Sequence, residues 1–139
     1  MADVHDKKTR SYNMSRIRGK DTTPEMIVRK FLFNKGIRYR LHQKKLSGKP
    51  DLVLRKYNTI VFVNGCFWHG HEGCKYFVVP KTRTEWWKNK IRKTIEKDKE
   101  NYRKLEKTGW QVLVVWECEL RGENRNATLE TLFQKIPDR

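Results

Sequence analysis

The amino-acid sequence predicts a mixed α/β domain, a single sheet flanked by helices. Three observations carry this prediction. Two stretches pair helix start and stop signals with an apolar period near 3.6 residues, and four others are short and apolar or alternate with a period of two. The two kinds follow one another in the order α-β-β-β-α-β-α, after a short N-terminal helix. At 139 residues the chain has the length of one domain with one ordinary core. Residues 1–139 contain no internal repeat and no Pro/Gly-rich linker, so they are read as one domain.

In order, "KTRSYNMSRI" reads as a short helix whose Met14 and Ile17 share a face. "DTTPE" is a helix start: Thr22 or Thr23 caps, Pro24 sits in the first turn, and Glu25 closes a capping box with Thr22. This helix runs through Met26, Ile27, Phe31 and Leu32 and stops at Gly36. The period then becomes two in "IRYRLH", "DLVLR" and "TIVFVNG", three strands with tight connections. "TRTE" at residues 82–85 is a second capping box, opening a long helix to about Lys107, with Gly109 just beyond. "WQVLVVW" is the most apolar strand and is expected at the centre of the sheet. A last helix around residues 127–135 closes the chain.

Charge narrows the function classes. Thirty-two Lys and Arg against sixteen Asp and Glu give a net charge of +16, spread along the chain rather than gathered in a tail. A folded domain so charged attracts polyanions, nucleic acid first among them. The alternative is a basic but inert surface. No apolar run is long enough to span a membrane, and "MADVHDKKTRSYN" lacks the apolar region of a secretory signal. Three cysteines without such a signal point to metal or core roles rather than disulfides.

"NGCFWHGHEGC", residues 64–74, concentrates the chemistry. Cys66, His71, Cys74 and the distant Cys118 amount to three thiolates and an imidazole, which fill a tetrahedral Zn2+ shell and leave no open position for water. The plainer alternative is two core cysteines and a free thiol. His69 and His71 point the same way in an extended loop, so spacing leaves open which of them binds metal. His5 and His42 lie far off and have no clustered cysteine. On the long helix Trp87, Ile91, Ile95, Tyr102 and Leu105 form an apolar stripe with Asp98 in its middle. A carboxylate there needs a partner, either an Arg or Lys or a histidine from the preceding loop. Asp51 follows Pro50 at a strand start, where it can hold Mg2+ against a phosphate or be ordinary turn chemistry. Glu25 adds a second acid.

Taken together, "DTTPE", "SGKPDLV", "VFVNGCFWHGH", "VPKTRTEWW" and "GWQVLVVWECELRG" resemble the Vsr, or very-short-patch repair, endonucleases over nearly the full length. The resemblance implies a restriction-endonuclease-like fold of the PD-(D/E)xK superfamily with a structural zinc site. It implies a bacterial, cytoplasmic, nucleoid-associated enzyme that nicks DNA 5′ of the T in T:G mismatches left by deaminated 5-methylcytosine. Implied partners are mismatched double-stranded DNA, a cytosine-5 DNA methyltransferase acting in the same cells, and mismatch-repair proteins; the protein itself is expected to be a monomer. By position, Asp51 and the Val63 carbonyl match the Mg2+ ligands, and Glu25 matches an acid that steers the cation's water. His69 matches the histidine that activates the attacking water, and Asp98 the acid that orients it. Cys66, His71, Cys74 and Cys118 match the structural zinc ligands. Phe67, Trp68 and Trp87 match a wedge entering the base stack, with Met14 and Ile17 approaching from the other groove on a DNA-contacting arm of residues 1–20. Without the resemblance, Phe67 and Trp68 would read as plain core. The chain departs from the family pattern at Asn64, where a histidine is expected, and in a zinc loop, "HEGC", one residue longer. The rival functions are a related restriction-type or nicking nuclease that needs no mismatch, and a zinc-stabilised DNA-binding module without catalysis.

Overall fold

The computed structural model describes residues 22–137. Within them lie helices α1 (Thr23–Asn34), α2 (Thr84–Lys107) and α3 (Arg125–Lys135), with strands β1 (Arg40–Leu41), β2 (Leu52–Leu54), β3 (Thr59–Asn64) and β4 (Gln111–Trp116). The N-terminal helix expected over residues 8–17, with Met14 and Ile17, lies outside the described residues.

The four strands form one mixed sheet in the order β1-β2-β3-β4. β1 to β3 pair antiparallel, and β3 and β4 pair parallel. A parallel neighbour requires a crossover; the loop after β3 and the 24-residue α2 supply it. Side-chain alternation then divides the sheet's faces. Leu52, Leu54, Val61, Leu113 and Val115 pack with Val28 and Leu32 of α1 and Leu129 and Leu132 of α3. Val53, Ile60 and Phe62 turn the other way, toward Leu105 and Tyr102 of α2. Helices therefore cover both faces, as the sequence predicts.

Four details differ from expectation. β4 is an edge strand and β3 lies inside the sheet beside β2: β3 is buried almost throughout, whereas β4 fully buries only Leu113 and Val115. β4 is apolar because α2 lies against one face and α1 with α3 against the other, not because strands flank it on both sides. β1 is only two residues long. The "TRTE" box does not form: the chain enters α2 through Arg83 in a left-handed conformation (φ 55°), and the Thr84 hydroxyl instead donates to the Pro80 carbonyl. The box at α1 forms by half. The Glu25 N–H donates to Thr22 Oγ1 (3.4 Å), but the Glu25 carboxylate turns inward and is 1% exposed. α1 does stop where glycine was expected, at Gly36 with φ +84°.

Candidate active site and metal cluster

One end of the sheet gathers the acids. Leu41 of β1 stands opposite Leu52 of β2, so the next residues along, His42 and Asp51, also oppose each other. The His42 N–H donates to the Asp51 carbonyl at 3.2 Å. The Asp51 carboxylate accepts a 2.7 Å bond from the Val63 N–H near the end of β3. Burial pushes the Asp51 carboxyl up to about 6, and the nearby Glu25 adds to this; the Val63 N–H, His42 and His69 pull the other way. Glu25, in the first turn of α1, bonds to His42 Nε2 at 2.9 Å and pairs with Arg29 Nη1 at 3.3 Å. Ligand atoms of Glu25, His42 and Asp51 all lie within 4.8 Å of one another.

His69 approaches on the loop after β3. Its Nδ1 lies 2.7 Å from Asp98 Oδ2, so the acid on the apolar stripe of α2 has a histidine as partner. Gly70 makes this approach possible. It adopts φ +61°, and a Cβ there would stand 2.6 Å from Ile95 Cδ1 and 2.7 Å from Ile91 Cγ2. No larger residue lets the loop lie this close to the helix. One turn along α2, the Tyr102 hydroxyl accepts a 2.9 Å bond from Asn64 Nδ2, and burial holds that phenol up at about 12. Asn64 is itself buried.

Beyond His69 the loop turns back and brings Cys66, His71, Cys74 and Cys118 together, their ligand atoms all within 4.8 Å. His71 Nδ1 and Cys118 Sγ are 3.4 Å apart. The corresponding edge of a zinc tetrahedron with one sulfur and one nitrogen is about 3.5 Å, given bonds of about 2.3 and 2.0–2.1 Å. The Cys118 N–H donates to Cys66 Sγ and the Tyr76 N–H to Cys74 Sγ, both at 3.4 Å, contacts that favour thiolate over thiol. Trp116 stacks flat on the His71 ring at 4.1 Å and fixes its orientation. The donor set and its second layer fit Zn2+. His71, not His69, sits in this cluster.

Beside both centres lies an aromatic group. The Phe67 ring lies 5.1 Å from Trp68 and 5.4 Å from Trp87, and Trp86 packs edge-on to Trp87 at 4.8 Å. Phe67, Trp68 and Trp87 are half-buried and Trp86 is 44% exposed, so the group is neither closed core nor free surface. Sequence reasoning singled out the first three and missed Trp86. It also missed His42, set aside for its distance from the cysteines. Its signal was there: the alternating "RYRLH" leads through a short loop to "KPD", and a hairpin returns one to the other.

The chain matches the family model of DNA mismatch endonuclease Vsr over residues 2–75. It is similar to the type II nicking enzyme V.NmeAIP of Neisseria meningitidis, 50% identical over 88% of this chain and 87% of that protein. It is also similar to DNA mismatch endonuclease Vsr of Escherichia coli, 44% identical over 99% of this chain and 87% of that protein. The type II nicking enzyme V.XorIIP of Xanthomonas oryzae is 43% identical over 86% of this chain and 88% of its own length.

Proposed function

The chain belongs to the Vsr family of DNA mismatch endonucleases, and on that premise we propose that it nicks duplex DNA 5′ of the T in a T:G mismatch by Mg2+-dependent phosphodiester hydrolysis. The observation that carries this reading is the meeting, at one end of the sheet, of the buried Glu25 and half-buried Asp51 carboxylates with a histidine held by an acid. Burial, with Glu25 adding to it, holds the Asp51 carboxyl up at about 6, and a cation bound beside it would favour its ionised form. A hard cation bound by one or two carboxylates suits it.

When bound, Mg2+ polarises the scissile phosphate and stabilises the leaving oxygen. Asp51 holds it, with the Val63 carbonyl. The Val63 N–H already faces Asp51, and in an antiparallel ladder a residue's N–H and C=O face the same neighbour. Glu25, from the first turn of α1, steers water beside it. With Nδ1–H donated to Asp98, His69 keeps a lone pair on Nε2 and takes the proton of the attacking water as general base. Asn64 has no basic nitrogen, and its amide is committed to Tyr102, so His69 alone carries the proton transfer. Cys66, His71, Cys74 and Cys118 hold a structural Zn2+ that keeps the His69 loop in shape.

Phe67, Trp68 and Trp87 wedge into the base stack beside the mismatch, with Met14 and Ile17 of the N-terminal arm meeting the other groove. A T:G wobble unstacks at lower cost than a Watson–Crick step, so the wedge selects for deformability. The substrate class follows from deaminated 5-methylcytosine, which places the enzyme beside a cytosine-5 DNA methyltransferase on the bacterial nucleoid, with mismatch-repair proteins as further partners. Among the described residues no helix is long and apolar enough to cross a membrane. A monomer suffices for a single nick.

The names of the nicking-enzyme relatives keep a second reading in view, nicking of DNA without a mismatch. Incubation with Mg2+ and end-labelled duplexes, varied in flanking sequence, separates the two. A single nick 5′ of the mismatched T, suppressed by EDTA, is expected. Cleavage of the matched T:A duplex at the same site would establish the second reading instead.

A further inference from the structure

Asp51 and Glu25 are not alone at the proposed cation site. His42 Nε2 lies 2.9 Å from Glu25 Oε2, and its ligand atom falls within 4.8 Å of those of both acids. Secondary structure, not chance packing, puts the imidazole there. The β1–β2 register sets His42 opposite Asp51, and the His42 N–H anchors on the Asp51 carbonyl. At His42 the backbone turns left-handed, φ 46°, a conformation that costs a non-glycine residue free energy. Such strain persists only where the surroundings enforce it, and here it accompanies an imidazole aimed at a buried carboxylate.

We propose that His42 is a third protein donor, beside Asp51 and the Val63 carbonyl, at the cation site that Glu25 borders, making it a mixed oxygen–nitrogen site whose imidazole sets which divalent cations it prefers. This rests on the reading of Asp51 as a cation ligand. Oxygen-only sets suit Mg2+, whereas an imidazole adds affinity for Ni2+ and other borderline ions and little for Mg2+. The site therefore accepts Mg2+ and holds Ni2+ more tightly, and His42 widens the difference beyond what oxygen donors alone would give. Arg29 already pairs with the Glu25 carboxylate, so a charge partner for Glu25 is present without His42.

The test is calorimetric titration of zinc-loaded protein with Ni2+, and with Mg2+ in competition, on the wild type, Asp51→Asn and His42→Gln. Glutamine keeps an amide N–H that can bond to Glu25 and is a poor Ni2+ ligand. Zinc content and circular dichroism establish that each variant is folded. The wild type is expected to bind a Ni2+ ion that Asp51→Asn loses. His42→Gln is expected to weaken Ni2+ binding by about tenfold or more and Mg2+ binding by less than about threefold. A proportional loss for both ions, or a loss for neither, overturns the proposal; His42 then only steadies Glu25. Ni2+ and Mg2+ binding indifferent to Asp51→Asn would mean that the cation reading itself fails, and the role of His42 with it.

Discussion

At the residue scale, the site turns on two carboxylates with opposite circumstances. Asp51 is raised to about 6 by burial and by Glu25, against an ordinary 3.8. The folded state thus binds the proton more tightly than the unfolded chain does. Without a divalent cation, the contribution of Asp51 to stability falls as pH rises from about 4 to about 6 and stays at the lower level above that. Asp51→Asn should therefore raise Tm at pH 8 in EDTA and change it little at pH 4, while abolishing nicking and sparing DNA binding. Thermal melts and a gel-shift assay check this; a lower Tm at pH 8 would refute the account of Asp51. Asp98 is different: it bonds to His69 Nδ1, and its proposed task is to hold that ring in one tautomer. Asp98→Asn should lower the single-turnover nicking rate by about 10²–10⁴-fold with DNA affinity unchanged, and should move the acid limb of the pH profile. A rate within a few-fold of wild type would mean that His69 is not the base.

Asp98 and His42 mark what was legible. Asp98 could be singled out because a helix's periodicity makes one carboxylate on an apolar stripe conspicuous, yet periodicity names no partner. His42 went unnoticed because its partners are 17 residues back, on α1, and across a hairpin. Only the register of a two-residue strand connects them.

At the scale of elements, the loop between β3 and α2 does most of the positioning. It is pinned at one end by the Cys66–His71–Cys74–Cys118 cluster and pressed on α2 at Gly70. Gly70→Ala adds a methyl where Ile91 and Ile95 already stand, in a left-handed conformation, and should cost about 1–3 kcal/mol. Urea denaturation measures the loss, and nicking should fall further than stability explains, because His69 shifts with the loop. Unchanged activity in a destabilised variant would separate His69 from the loop's packing. Removing zinc with a strong chelator, or through Cys118→Ser, should lower Tm and zinc content together. A zinc-free protein of unchanged Tm would contradict the structural role.

Helix bounds were read well from caps and glycines; α2 ends at Lys107 and α1 just before Gly36, as expected. The two capping boxes fared worse because other contacts, tertiary for Glu25 and local for Arg83, compete with them. Glu25 is drawn inward by His42 and Arg29, and Arg83, the α2 entry residue, carries its guanidinium to 4.6 Å over the Trp86 ring. The place of β4 was misread for a related reason. Apolar composition reports coverage by helices as readily as coverage by strands.

At the scale of the whole molecule, a net charge of +16 supplies attraction to any duplex, and attraction alone discriminates nothing. In the proposed mechanism, selectivity comes from the half-buried aromatic group beside the Asp51 end of the sheet. Phe67, Trp68 and Trp87 touch one another and, at Phe67, the loop's Phe77, so a wedge built from them is braced rather than loose. A braced wedge gains selectivity from the difference in unstacking cost between a wobble pair and a matched pair, a few kcal/mol at most.

The central claim is mismatch-selective nicking by the Asp51–His69 centre, and the most direct test is the ratio of single-turnover nicking rates on two duplexes that differ only in T:G against T:A. The account predicts a ratio of about 10² or more, as a few kcal/mol of unstacking implies, abolished by Asp51→Asn and reduced by Trp68→Ala. Equal rates on the two duplexes would contradict it.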